Sequence, residues 1–302
     1  MSSVSREAAV SVPPRLGALP NLWRGLLAEI RPVPMVATLT IAYIGVALGG
    51  GGFVSAATWL ILLAAGTGLF IAHLRDTEVD FYERGEDRLL PPVGLDGSNG
   101  LLSLRMLRGL NIGASIVFWA TVGALLVLTE AVLLLPVAGA AFALAQSYGF
   151  GLDRHPLSGA LTYPTGALLA FWSGYVAAGG ASPSLPLGLI AGALLAALAG
   201  GKIVSDLIDE PHDPAFGKRT VAVAVGARSA RRMGIGIVTA GLLFILVGGS
   251  LGGWGWIQLA TMVVALSIPL GGGWQPPLRA TYTVLGGIYV AILLLALSPP
   301  TL

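Results

Sequence analysis

The sequence predicts an all-α polytopic membrane protein with nine transmembrane helices and a cytoplasmic N-terminus. Three observations predict it. Of 302 residues, 55% are hydrophobic and only 11% charged, where a soluble domain carries about 25% charged residues. Nine apolar runs, most near the roughly 20 residues that cross a bilayer, follow one another along the chain. All 17 lysines and arginines fall on one side of those runs.

In chain order, residues 1–18 are polar and Pro-containing and read as a mobile N-terminal segment. Residues 19–302 read as a single transmembrane domain. It opens with "LPNLWRGLLAEIRP", in which Leu22, Trp23, Leu26, Leu27 and Ile30 share one helical face and Arg24, Glu29 and Arg31 lie elsewhere. That pattern suits a short helix lying in the membrane interface. The nine spans then fall at about 34–50, 55–75, 108–128, 131–149, 159–180, 185–207, 233–250, 254–271 and 279–298. Connections after the first, third, fifth and seventh spans are short and hold no Lys or Arg. The positive-inside rule therefore places the basic side in the cytoplasm and the C-terminus outside. Zero cysteines exclude disulfides, thiolate metal sites and cysteine nucleophiles. No short apolar core precedes a small-residue cleavage site, so no cleaved signal peptide is expected.

Ten of the fifteen acidic residues lie in two clusters. "HLRDTEVDFYERGED", just after span two, holds Asp76, Glu78, Asp80, Glu83, Glu86 and Asp87. "SDLIDEPHDPAFGKRTVAV", just after span six, holds Asp206, Asp209, Glu210 and Asp213, then Lys218 and Arg219. His73, Asp76 and Asp80 are offset by three and four residues, and so are Asp206, Asp209 and Asp213. On an α-helix such offsets hold three side chains within about 60° of one face. Carboxylates stacked at the C-terminal end of a helix oppose its macrodipole and repel one another. A solvated acidic loop is the plain reading of one such cluster. Two with a shared spacing point to a hard divalent cation. Mg²⁺ takes one or two carboxylates, keeps waters and completes its shell with phosphate oxygens. Two facing sets suggest a diphosphate gripped between metal groups, with Lys218 and Arg219 as further donors to it.

These residues resemble the UbiA-type intramembrane prenyltransferases. The family's Asp-x-x-x-Asp followed by Gly-Lys-x-Thr is matched by Asp209, Asp213 and "GKRTVAV" at 217–223, with Asp206 one turn earlier. Its Asn-x-x-x-Asp-x-x-x-Asp is matched at Asp76 and Asp80, but Ala72 stands at the Asn position. "DRLLPPVG" resembles the Arg-Pro-rich stretch that follows, with Arg88 as its arginine, and "EIRPVP" resembles the entry to span one. Of the family's Tyr-x-x-x-Lys, Tyr148 is kept and Leu152 replaces the lysine, with Arg154 nearby.

The resemblance implies a nine-helix UbiA-like bundle in a prokaryotic plasma membrane, with its site on the cytoplasmic face. It implies Mg²⁺ held by Asp76, Asp80, Asp206, Asp209 and Asp213, with Asp76, Asp80, Asp209 and Asp213 essential to catalysis. Lys218, Arg219, Arg88, Arg154, Tyr148, Lys202 and His73 are the expected diphosphate contacts. Three have plain alternatives: Lys202 an ion pair with Asp206, His73 a buried ring satisfied by backbone, and Tyr148 an ordinary interface aromatic. The implied partners are an isoprenyl diphosphate, a lipophilic or aromatic acceptor and the bilayer, and no nucleic acid. Phe150, Tyr163, Phe171, Trp172 and Tyr175 are candidates to line an apolar cavity or to face lipid.

Three functions follow. One is Mg²⁺-dependent prenyl transfer to an acceptor. Another is a membrane terpene cyclase using the same ionisation without an acceptor, kept open by Ala72 and Leu152. The third is a transporter or lipid-binding protein with a cation site; a transporter more naturally puts ionisable groups near mid-span, and spans one, three, five, seven and eight carry none there.

Overall fold

A computed structural model describes residues 19–85, 101–147, 151–180 and 183–253. Their regular structure is entirely helical: α1 (Leu19–Ile30), α2 (Pro32–Leu48), α3 (Ala56–Thr77), α4 (Leu104–Thr129), α5 (Leu134–Ser147), α6 (Pro156–Ala177), α7 (Leu185–Ser205), α8 (Val221–Val225) and α9 (Ala227–Leu251). In lipid a helix satisfies its own backbone hydrogen bonds, and these apolar runs have no other way to cross.

The first seven expected spans correspond to α2–α7 and α9. The last two, at 254–271 and 279–298, lie outside the described residues. Among the described residues four helices are long and apolar enough to cross a membrane: Ala56–Arg84, Leu104–Thr129, Leu185–Ser205 and Ala227–Leu251. Leu22–Ile30 and Pro34–Leu48 form a fifth if that pair, bent by 46°, is one span. Helix α5 has only 14 residues, about 21 Å of rise, short of a hydrocarbon core of about 30 Å.

Two seams hold the bundle closely. Between α2 and α6 a Cβ on Gly45 would stand 2.0 Å from the Phe171 carbonyl oxygen, and one on Gly174 2.3 Å from that of Ala42. Between α7 and α9 a Cβ on Gly200 would stand 2.6 Å from the Gly234 oxygen. Glycine lets the backbones touch, as close packing in lipid requires. Large apolar side chains such as Ile112, Ile116 and Val127 point outward, as a lipid-facing surface does. Phe171 is fully buried in the core formed with Ile41, Ile44 and Leu194, so it serves packing. Trp172 and Tyr175 are partly buried against that core. Phe150 lies outside the described residues.

Helix α1 departs from the expected interfacial face. Leu22 and Leu26 pack against Leu74, Leu102 and Leu107, whereas Trp23 and Leu27 are exposed and Glu29 is completely buried. The face splits because α1 docks on the end of α3 through Glu29. Helix α1 stops at Ile30 because Pro32 follows at the start of α2, and a residue before proline is kept out of the α region. Arg31 there adopts a left-handed backbone (φ 44°, ψ 81°).

Both acidic clusters also depart from the shared helical face. Helix α3 passes at Glu78 into a wider π-helical turn, Glu78–Arg84, a local winding frequent at functional sites. Asp80 is thereby out of α register with Asp76. Helix α7 ends at Ser205 with Asp206 as its cap. The chain then runs through turns to Asp213, which opens a short 3₁₀ helix, Asp213–Phe216. Asp206, Asp209 and Asp213 therefore share no single helix.

Candidate functional site

The two clusters meet at one end of the bundle through Lys218. Its backbone N–H donates to the Asp213 carbonyl at 3.0 Å, and its Nζ donates to Asp80 Oδ2 at 3.0 Å. Gly217, in the left-handed region (φ 73°), ends the 3₁₀ turn and lets the chain double back. Asp80 Oδ1 also accepts from Arg84 Nη1 at 3.2 Å.

Asp76 pairs with Arg31 (Nη1 to Oδ2, 2.6 Å), each side chain less than a fifth exposed. Arg31 is steadied in turn: its Nη2 donates to Thr77 Oγ1 at 3.4 Å, and that hydroxyl donates to Glu29 Oε2 at 3.0 Å. On the other motif, Thr220 Oγ1 donates to Asp213 Oδ2 at 2.9 Å and caps α8 by accepting from Val223 N–H. Burial pushes the Asp213 carboxyl above the usual carboxylate range; Thr220 and Lys218 pull it down, and nearby Asp209 and Asp206 push it further up.

Other expected contacts are placed differently. Lys202 forms an ion pair with Asp206, the plain reading. His73 is buried, and its Nδ1 meets the Glu29 carbonyl oxygen at 3.0 Å, again the plain reading. Glu78 is held by Arg75 at 2.5 Å and Arg108 at 2.8 Å. Asp209 and Arg219 are exposed on the loop, and Arg154 is exposed on the turn Leu152–Arg154. Arg88 and Tyr148 lie outside the described residues. Tyr163 Oη stands 3.4 Å from both Thr38 Oγ1 and the Pro34 carbonyl oxygen.

Among the described residues no three His, Asp or Glu side chains converge as a ready metal cage. Lys218 joins the Asp80 carboxylate to the main-chain carbonyl of Asp213, hard oxygens beside cations. Such a set suits Mg²⁺ carried with a diphosphate, which brings most of its own ligands, better than a bare ion held by protein alone.

Glu29, Arg31, Thr77 and Arg84 had no part in the site expected from the sequence. Arg84 stands four residues from Asp80, a spacing that announces an ion pair on a helix. Thr220, just before "VAVAV", carries the signal of a helix cap. Nothing in the sequence joins Glu29 to Thr77.

No protein-family model and no curated protein sequence matches the chain. Solved structures do. A UbiA homolog from Archaeoglobus fulgidus bound to GPP and Mg²⁺ superposes with a TM-score of 0.68 at 17% identity, over 91% of this chain and 100% of that one. The same homolog bound to DMAPP and Mg²⁺ gives 0.68 at 18% identity, over 91% and 99%. A digeranylgeranylglyceryl phosphate synthase gives 0.61 at 14% identity, over 92% and 98%. The architecture is thus that of an all-helical intramembrane bundle with a charged site at one end. The fold is the UbiA fold.

Proposed function

We propose that this protein is a UbiA-type prenyltransferase, moving an isoprenyl group from an allylic diphosphate to an apolar or aromatic acceptor within the membrane. One observation carries the reading: Lys218 of the second motif reaches Asp80 of the first, which supports one site shared by the two Asp-rich segments. The likeness to structures that hold GPP or DMAPP with Mg²⁺ supports the same chemistry.

Asp76, Asp80, Asp206, Asp209 and Asp213 are the residues to hold Mg²⁺, which when bound neutralises diphosphate charge as the leaving group forms. Lys218, Arg31 and Arg84, each resting on a carboxylate, would turn onto the diphosphate oxygens. Cleavage of the allylic C–O bond leaves its electron pair on oxygen, where these cations stabilise it. The allylic cation needs surroundings poor in water, which the apolar bundle supplies. The acceptor carbon forms the new bond and gives up a proton. The site is placed on the cytoplasmic face of a prokaryotic plasma membrane, following the basic residues at that end.

The test is to incubate purified protein with Mg²⁺ and allylic diphosphates of several lengths, with and without an aromatic acceptor. Transfer predicts diphosphate release that rises with acceptor and a prenylated product. Release with cyclised hydrocarbon and no acceptor would favour the cyclase, a reading that Ala72, buried among apolar residues where the motif has Asn, keeps in view. No release under any condition sinks both.

A further inference from the structure

We propose that Arg228, Arg231 and Arg232 form a docking site for the headgroups of anionic phospholipids, beside the acidic site. The three arginines stand in the first turns of α9, immediately before its apolar stretch, and all three are exposed. Offsets of three and four residues keep them within about 100° of one another. Among the described residues none of the three pairs with a carboxylate. At this end Arg31, Arg75, Arg84, Arg108, Lys202 and Lys218 do pair, while the exposed Arg24, Arg105, Arg154 and Arg219 are not grouped three to one helix face. The contrast matters because cations in the first turns of a helix oppose its macrodipole. Val225, Met233 and Ile235 flank the arginines and are exposed, which sets the cluster at the boundary between lipid tails and headgroups. Positive charge at that depth, without a protein partner, is complementary to lipid phosphate.

The position gives the contact a consequence. Gly226 joins α9 to α8, and α8 is capped by Thr220, which holds Asp213. Below the arginines, Gly234 seats α9 on Gly200 of α7, the helix that Asp206 caps. A headgroup bridging the arginines fixes the start of α9, and with it the loop carrying the second acidic segment.

The experiment uses the full chain in nanodiscs of phosphatidylcholine alone or with phosphatidylglycerol, reading retained lipids by native mass spectrometry and the midpoint of thermal unfolding. Wild type is expected to retain phosphatidylglycerol over phosphatidylcholine and to melt higher in its presence. Arg228→Gln, Arg231→Gln and Arg232→Gln together should weaken apparent phosphatidylglycerol affinity by about fivefold per arginine. Arg24→Gln with Arg105→Gln, both exposed at the same end, should leave it unchanged. Equal loss in both variants would mean bulk charge attraction and overturn the site; so would undiminished preference in the triple variant. Should that variant fail to insert, photoactivatable phosphatidylglycerol on wild type decides. Crosslinks within 225–235 support the site, and crosslinks only elsewhere overturn it.

Discussion

Lys218 Nζ stands 3.0 Å from Asp80 Oδ2 across 138 positions of chain, each side chain about one-sixth exposed or less. Asp80 also holds Arg84, so removing either partner of the pair weakens, rather than abolishes, the compensation of the other charge at low dielectric. Lys218→Met or Asp80→Asn alone is therefore expected to destabilise by about 1–3 kcal/mol, and the double variant by less than the sum of the two. Diphosphate release should stay lost in all three. Thermal unfolding in detergent beside the release assay checks it, and additive losses of stability would show that the contact carries nothing.

Metal dependence is the second expectation. Asp76→Ala, Asp80→Ala, Asp209→Ala and Asp213→Ala should each cut turnover by about 10²-fold or more, and EDTA should abolish it reversibly. Asp209, exposed on its loop, is the discriminating member. Its loss should raise the Mg²⁺ requirement without lowering the melting point. A near-wild-type rate in the Asp76, Asp80 or Asp213 variant would sink the site.

Arg31 combines a left-handed backbone with an ion pair to Asp76. A non-glycine residue in that region costs on the order of 1 kcal/mol. Arg31→Gly relieves the strain and Arg31→Ala does not, while both lose the guanidinium. The glycine variant should therefore melt above the alanine variant, with both equally impaired in catalysis. The reverse order of melting would show that the elbow is unstrained.

The glycine seams make a matched pair. A methyl on Gly45 meets the Phe171 backbone at 2.0 Å, but one on Gly123 meets nothing within 4 Å. Gly45→Ala should destabilise by about 1–3 kcal/mol or more, and Gly123→Ala should stabilise by about 0.5–1 kcal/mol through helix propensity. Equal melting points would refute the close approach of α2 and α6.

Sidedness is accessible because the chain has no cysteine. Ser184→Cys at the start of α7 and Ser229→Cys in the first turn of α9 lie at opposite ends of the bundle. An impermeant thiol reagent added to intact cells should label the first, and the second only after lysis. The opposite pattern would invert the orientation.

The helices were legible because lipid removes alternatives: long apolar runs must become helices, and α2, α3, α6 and α7 fall within a few residues of their expected limits. The acidic clusters were legible as composition but not as geometry. Offsets of three and four residues imply one face only while α winding continues. It stops at Glu78, where the winding widens, and after Ser205, where the helix ends. Contacts over long chain separations carry no local signature. The Glu29–Thr77 bond, 48 residues apart, and the fastening of Asp80 by Lys218 are of that kind.

The distance along the chain between Asp80 and Lys218 also bears on how the protein is made. At ribosomal speeds of about 5–20 residues per second, a carboxylate synthesised 138 residues ahead of its lysine waits on the order of ten seconds. Through that interval Arg84, four positions on, is a neighbour able to answer its charge. The nascent hairpin can enter the bilayer under local charge balance, and arrival of the later lysine then marks the moment at which the two halves are fastened together.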